Sequence, residues 1–429
     1  MNRFSPTEYS LLCIATNEVF EDEGWTLDYP TCDTHSLIRT QYARKQLTLY
    51  SGNGLYRYRD WLPLKRELCC QSQQATYKSV GLARVLGLKN LYITFNGYFP
   101  ARGATMTTCT FKECEAYSVC ARIPFNEKRV LVVASAGNTA RAFAKVCSEN
   151  EIPLLLVVPN DNIDALWGDT PLNECVKIIA CESGGDYFDA IHLSNTVLKS
   201  SKFYAEGGAK NVARRDGMGT SVLSAVTTIG HIPDYYFQAV GSGTGAIAAW
   251  EANLRLIEDG RYGTNTMRLM VSQNAPFLPI YWAWRKDSRY LLPYNATIAR
   301  CDANAIDAKV LSNRQPPYSI AGGLYDALKA TNGDVLLATN IEAQQAARLF
   351  LDSEGIDIHP ASAVAVASLV KEVQANCIKR DATIMLNITG GGEKYYKRER
   401  KIFYFKPQIV FPLKSQEEDI VAKVEELFA

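Results

Sequence analysis

Hydrophobic and polar positions along this chain follow two periods in turn. Unbroken apolar runs at 130–135, 154–158 and 176–180 have the length and β-branched content of strands buried on both faces of a parallel sheet. The runs at 91–95, 235–240, 267–271 and 382–388 read the same way. Between them, apolar residues recur at helical spacing over 79–86, 111–122, 139–148, 189–199, 246–257, 321–330, 341–353 and 361–375. Residues 1–59 differ, with short strand-like segments at 9–14, 25–29 and 37–42. Such alternation predicts an α/β fold with mostly parallel sheets flanked by helices.

In sheets of this kind, ligands sit where strand ends meet helix N-termini. Three loops there contain glycine: 135–139, 241–245 and 389–392. In Gly241-Ser242-Gly243-Thr244-Gly245, successive backbone N–H groups can converge at a helix N-terminus, which suits a phosphate. No Lys-Ser/Thr follows, and position 246 is alanine, so neither a P-loop nor a dinucleotide fingerprint is met. A plain strand-to-helix turn is the alternative. Ser135, Asn138 and Thr139 could bind a carboxylate or simply cap the next helix. Thr389 could meet a ring nitrogen or belong to an ordinary glycine turn. Lys112, in Thr107-Thr-Cys-Thr-Phe-Lys-Glu113, is the candidate nucleophile, because a desolvated amine can bond to a carbonyl. Taken alone, a lysine at the start of a helix is ordinarily just solvated.

Charge narrows the picture. Lysine plus arginine number 46 against 45 acidic residues, so a whole-surface nucleic-acid footprint is excluded and anion binding must be local. Twelve cysteines, scattered except for Cys69-Cys70, are too dilute for a disulfide scaffold and predict a reduced, cytoplasmic protein. No apolar run approaches the roughly 18–20 residues of a membrane helix, so no membrane partner is expected. Cys13 and Cys32 could be half of a zinc site, with His35 a third ligand. A fourth is missing, so no metal is expected and two free thiols are the preferred reading.

The order along the chain is more telling than any one loop: Phe111-Lys112, then Ser-x-Gly-Asn-Thr, then Gly-Ser-Gly-Thr-Gly, then Thr-Gly-Gly. It resembles the pyridoxal-phosphate enzymes of the tryptophan-synthase β-subunit class, called fold type II, over about residues 60–400. Within that class it is similar to the threonine synthase branch, and more closely to the cysteate synthases of that branch. The shared runs are Trp61-Leu-Pro63, Thr76-Tyr-Lys-Ser79, Thr108-Cys-x-Phe-Lys-Glu113, Ala134-Ser-Ala-Gly-Asn-Thr139, 206–220, 236–245, Gln315-Pro-Pro-Tyr-Ser319 and Gly322-Gly-Leu-Tyr-Asp-Ala327.

The resemblance implies pyridoxal 5'-phosphate as cofactor and a β-replacement that turns O-phospho-L-serine and sulfite into L-cysteate and phosphate. It implies that Lys112 carries the cofactor and moves the substrate α-proton. Gly241, Ser242, Gly243, Thr244 and Gly245 would hold the phosphate of the cofactor, Asn138 its ring hydroxyl, and Thr389 its ring nitrogen. Ser135, Ala136, Gly137 and Thr139 would grip the substrate carboxylate, with Thr108 and Thr110 beside them. Arg214 would meet the substrate phosphate with Lys210 nearby, and Arg102, Arg141 and Arg215 are further basic candidates. Glu113-Cys114 and Gly208-Ala209 depart from the threonine synthase pattern where the leaving group would lie. Threonine synthesis from O-phosphohomoserine, a cysteine synthase using phosphoserine or acetylserine, and a catalytically silent cofactor-binding regulator remain alternatives. The implied architecture is an N-terminal extension (1–59), a large domain (60–119 with 226–410), a small mobile domain (120–225) and a C-terminal helical tail (411–429). Such enzymes are usually homodimers.

Overall fold

The apolar runs form the middles of two sheets. The structure is a computed structural model describing residues 4–31, 34–52, 54–135, 137–185 and 187–429. The larger sheet has six strands in the order Asp334–Ala338, Arg268–Asn274, Tyr235–Ala239, Thr383–Ile388, Asn90–Phe95 and Ala75–Lys78. All neighbours are parallel except the last pair. The smaller sheet is wholly parallel, in the order Phe203–Ala205, Val130–Ala134, Leu154–Pro159, Val176–Cys181 and Ile409–Phe411. Strands such as Leu154–Pro159 and Thr383–Ile388 are buried at every residue, as continuous apolar runs require when helices cover both faces.

Four helices position the site: Lys112–Arg122, Asn138–Glu149, Val212–Ile229 and Thr244–Asp259. Three of them were legible in the sequence. No helix was expected over 212–229, because Gly217 and Gly219 interrupt its periodicity. Packing explains them. A Cβ on Gly217 would lie 2.3 Å from the Cys114 carbonyl oxygen, so the bare backbone lets this helix press directly on the lysine helix. The sequence boundary at 119/120 also falls inside the helix Lys112–Arg122. Its Ala116, Tyr117, Val119 and Cys120 are packed into the core under the smaller sheet, so it belongs to the same packed body as that sheet. Each such large buried side chain stabilises by roughly 1.5–3 kcal/mol. The C-terminal segment joins the same body. Ile409–Phe411 supplies its edge strand, and Ile420 and Val424 of the helix Glu417–Glu426 pack beneath.

The N-terminal extension forms a three-stranded antiparallel sheet of Val19–Phe20, Tyr9–Cys13 and Ile38–Tyr42. The strand expected at 25–29 is absent. Trp25 is instead an anchor, donating from Nε1 to the Ala205 carbonyl at 2.8 Å and meeting Tyr204 edge-on. Asp22 pairs with buried Arg122 at 3.0 Å, and Arg39 pairs with Glu251 at 3.4 Å. The extension therefore grips elements attached to both sheets. Cys13 is buried, its Sγ 3.7 Å from Ser36 Oγ, while Cys32 lies outside the described residues. Among the described residues no helix is long and apolar enough to cross a membrane.

Candidate active site

Lys112 occupies the first turn of its helix, with its side chain a fifth exposed. Two acidic residues follow it within one turn, Glu113 and Glu115, as suits a helix N-terminus. They have different tasks. Glu113 turns back, and its Oε1 accepts from the Thr108 N–H. Glu115 lies three residues after Lys112 on the same helical face and takes the amine at 2.8 Å. Burial lowers the Lys112 pKa below its ordinary value, and Glu115 opposes that fall only in part. The nucleophile reading gains from this: the side chain is mostly withdrawn from water and its amine is ion-paired. The preceding segment is fastened to the third glycine loop. Phe111 N donates to the Thr389 carbonyl at 2.9 Å, Thr110 bridges Gly390, and Gly391 N donates to the Cys109 carbonyl at 3.0 Å. Thr110 is buried, and its Oγ1 accepts weakly from Lys112 N at 3.4 Å. Thr108 is buried too, with its Oγ1 unpartnered.

The loop 241–245 is built as an anion cradle. Gly243 caps the helix Thr244–Asp259 with φ of 80°, a left-handed conformation, and a Cβ there would strike Leu324 at 2.6 Å. Ser242 and Thr244 hydroxyls lie 2.9 Å apart. Among the described residues, the N–H groups of Gly241, Ser242, Gly243 and Gly245 find no partner. Unspent donors at a helix N-terminus fit a phosphate group such as that of pyridoxal phosphate. The loop 135–139 stands close by. A Cβ on Gly137 would lie 4.0 Å from Val310 Cγ1, and one on Gly241 would lie 2.9 Å from the adjoining Leu311 Cα.

The capping alternative for 135–139 is not what the structure shows. The helix Asn138–Glu149 begins after Gly137 without any side-chain cap. Ser135 Oγ accepts from Gly137 N at 3.3 Å, and Asn138 Oδ1 accepts from Arg141. Thr139 sits half-buried in the first turn, and Ala136 lies outside the described residues. At the other end of the site, the Thr389 hydroxyl has Ser362 Oγ at 3.4 Å, and Ser362 also exchanges hydrogen bonds with Gly390.

Arg214 meets the lysine cluster. It forks onto Glu206 and approaches Glu115 at 3.3 Å, so a carboxylate joins it to Lys112. Burial alone would lower its pKa, but the two carboxylates outweigh that and raise it. Other basic candidates lie elsewhere. Lys210 is exposed and pairs with Asp28 of the extension at 2.7 Å. The short turn Gly208–Lys210 aims its side chain outward. Buried Arg215 serves the fold, binding Glu251 at 2.9 Å and the Ala209 and Ile38 carbonyls. Arg102 is exposed over the Tyr77 ring at 4.6 Å. Cys114 does not face the site but belongs to the core under the smaller sheet. Arg141, one of the further basic candidates, is 3% exposed. A small cleft lies beside it, lined by Thr108, Lys145, Trp167 and Phe405 among others.

Four residues of this arrangement escaped sequence reasoning: Glu115, Glu206, Ser362 and, in its buried role, Arg141. Glu115 carried a usable signal, one helical turn from Lys112. Glu206 and Ser362 reach the site from separate loops, and no local spacing marks them.

Comparison with known proteins agrees with this geometry. The pyridoxal-phosphate dependent enzyme family matches residues 102–390. The cysteate synthase of Methanosarcina acetivorans is 46% identical over 381 residues, covering 88% of this chain and 92% of that protein. That of Methanospirillum hungatei is 44% identical and covers 98% of each. Among solved structures, maize serine racemase superposes with a TM-score of 0.55 at 15% identity, covering 74% of this chain and 89% of its own. A threonine deaminase isoform from Solanum lycopersicum gives 0.53 at 16% identity, covering 90% and 98%. The fold is thus that of the type II class, and the chain belongs to the pyridoxal-phosphate dependent enzymes and, among them, to the cysteate synthase family.

Proposed function

We propose that this chain converts O-phospho-L-serine and sulfite into L-cysteate and phosphate. One observation carries the reading: the part-buried Lys112 amine is joined through Glu115 to Arg214, placing a proton-moving group one carboxylate away from a forked cation. Relatives that are 44–46% identical carry the name of the same activity. Pyridoxal phosphate, when bound, supplies the electron-withdrawing ring that acidifies the substrate Cα–H.

The chain's own residues supply the rest. The unpartnered N–H groups of 241–245 hold the cofactor phosphate, Asn138 faces its ring hydroxyl, and Thr389 its ring nitrogen. The helix N-terminus after Ser135, Ala136 and Gly137, together with Thr139, receives the substrate carboxylate. Thr108 and Thr110 line the reacting end. Lys112, whose ammonium form burial disfavours, takes the α-proton. Arg214 exchanges its carboxylate partners for two phosphoryl oxygens, which the planar fork of its guanidinium matches. The Cβ–O bond breaks and phosphate leaves with its electron pair. Sulfite then donates a pair to Cβ, forming C–S, and Lys112 returns the proton to Cα.

We take the two sheets as two bodies, the smaller one carrying the helix Lys112–Arg122 and the edge strand Ile409–Phe411 with it, and substrate closure by that smaller body fits this class. We assign a cytoplasmic homodimer; exposed Trp282, Tyr290 and Ile298 supply apolar surface for pairing.

The assay is direct. Protein loaded with pyridoxal phosphate is given phosphoserine with sulfite, phosphoserine with sulfide, or phosphohomoserine with water. Phosphate release with cysteate formation is expected only in the first. Phosphate with threonine from the third would instead make the chain a threonine synthase. A loaded protein that releases nothing in all three would be a silent binder.

A further inference from the structure

We propose that Arg141 is a positioning residue that sets the orientation of the Asn138 amide toward the cofactor and pins three loops of the site to one another. The proposal rests on the reading of Asn138 as a cofactor contact.

Arg141 lies three residues after Asn138, on the same face of the helix Asn138–Glu149. Its Nη2 donates to Asn138 Oδ1 at 3.0 Å and to the Thr108 carbonyl at 2.9 Å. Its Nη1 donates to the Ala165 carbonyl at 3.0 Å. Its guanidinium lies 4.4 Å from the centre of the Trp167 ring. Glu393, directly after the Thr389–Gly392 loop, stands 3.7 Å away and also holds His359 at 2.9 Å. Segments 108, 138 and 393 are therefore tied by one side chain.

A guanidinium has only donors, so Asn138 must present its oxygen to Arg141. The amide NH2 is then turned away from the guanidinium, and among the described residues it has no partner. A donor with no protein acceptor suits the phenolate-type oxygen of the cofactor ring. Without Arg141 the amide could flip and offer its oxygen, which would repel that atom. The burial of a whole guanidinium with Nε unpartnered is costly and calls for such a return. Lysine could not replace it, because one ammonium cannot fork across Thr108, Asn138 and Ala165. Thr108 begins the run leading to Lys112, so the same contact fixes where the nucleophile's segment starts.

The test compares wild type, Arg141→Met, Arg141→Lys, Asn138→Ala and the double variant Arg141→Met/Asn138→Ala, each loaded with pyridoxal phosphate. The visible absorption band, its pH midpoint and cofactor retention on dialysis are read. Arg141→Met is expected to displace the band in the same sense as Asn138→Ala. It should weaken retention roughly tenfold, the scale of a hydrogen bond to a charged group. The double variant should be no worse than Asn138→Ala, since Arg141 acts through that amide. An unchanged band in Arg141→Met, or effects that multiply in the double variant, would overturn the proposal. So would loss of cooperative melting in both Arg141→Met and Arg141→Lys, which would make Arg141 a core residue and no more. A wild-type protein with no visible band abolished by Lys112→Ala sinks the underlying site reading instead.

Discussion

Lys112 and Glu115 form the contact on which the chemistry turns. Burial favours the neutral amine, while Glu115 favours the ammonium, and the balance sets the pH at which the lysine can react. Among the described residues Glu115 is the neighbour that both bonds the amine and raises its pKa, so removing its carboxylate removes both effects. In Glu115→Gln the amine should shed its proton at lower pH. The rise of the cofactor-loading rate with pH should therefore move downward, followed through the growth of visible absorbance. A midpoint that stays put, or moves upward, would mean the pair is not electrostatically coupled. Arg214 invites a second substitution. Arg214→Ala should raise the KM for phosphoserine roughly tenfold or more, as for a lost charge-assisted bond, while cofactor affinity changes far less. It also strands two buried carboxylates, so some loss of thermal stability is expected alongside. Equal loss of cofactor and substrate binding would argue against Arg214 as the phosphoryl contact.

The helices Lys112–Arg122 and Val212–Ile229 meet backbone to backbone, and two glycines separate steric need from mere tolerance. Gly217→Ala drives a methyl to 2.3 Å from the Cys114 carbonyl, so the helices must part. A cost of about 1–3 kcal/mol is expected, with a displaced Lys112 and weaker cofactor retention. Gly219→Ala meets nothing closer than the Ala248 carbonyl at 3.4 Å and gains helix propensity, so it should be neutral or stabilising by up to about 1 kcal/mol. Thermal melts of the two proteins check this; similar losses would refute the packing argument. The same helix shows where reading from sequence stops. Strands such as Val130–Ala134 and Thr383–Ile388 were plain because apolar runs are a local signal, and so were the three loops that follow strands. The helix Val212–Ile229 was hidden because its glycines answer to a neighbour over a hundred positions away in sequence. Glu206 and Ser362 were hidden for the same reason, while Lys210 and Cys114 misled because adjacency in sequence says nothing about which way a side chain turns.

At the scale of the molecule, the N-terminal extension is a strap across both sheets. Its firmest hold is Asp22, whose pKa burial would raise but which Arg122, Tyr9 and Lys65 bring below the ordinary 3.8. A carboxylate with a depressed folded pKa stabilises above its unfolded value, and that stability fades as pH falls through the folded one. Hydrogen-exchange protection over residues 9–42 should therefore hold at neutral pH and be lost only below about pH 3.8. Asp22→Asn leaves the buried Arg122 guanidinium uncompensated and should cost about 3–5 kcal/mol. Protection unchanged in that variant would show that the strap is held from elsewhere.

The pairing of Arg214 and Lys112 with Glu206 and Glu115 has one more consequence. Two cations and two carboxylates carry no net charge between them, so these four side chains exert little long-range pull on a doubly charged donor. Capture is then governed by collision and local rearrangement. The specificity constant for phosphoserine should hardly change between roughly 0.01 and 0.15 M salt, a range over which the screening length shrinks from about 30 to 8 Å. A steep decline across that range would reveal an attractive potential that these four side chains do not produce.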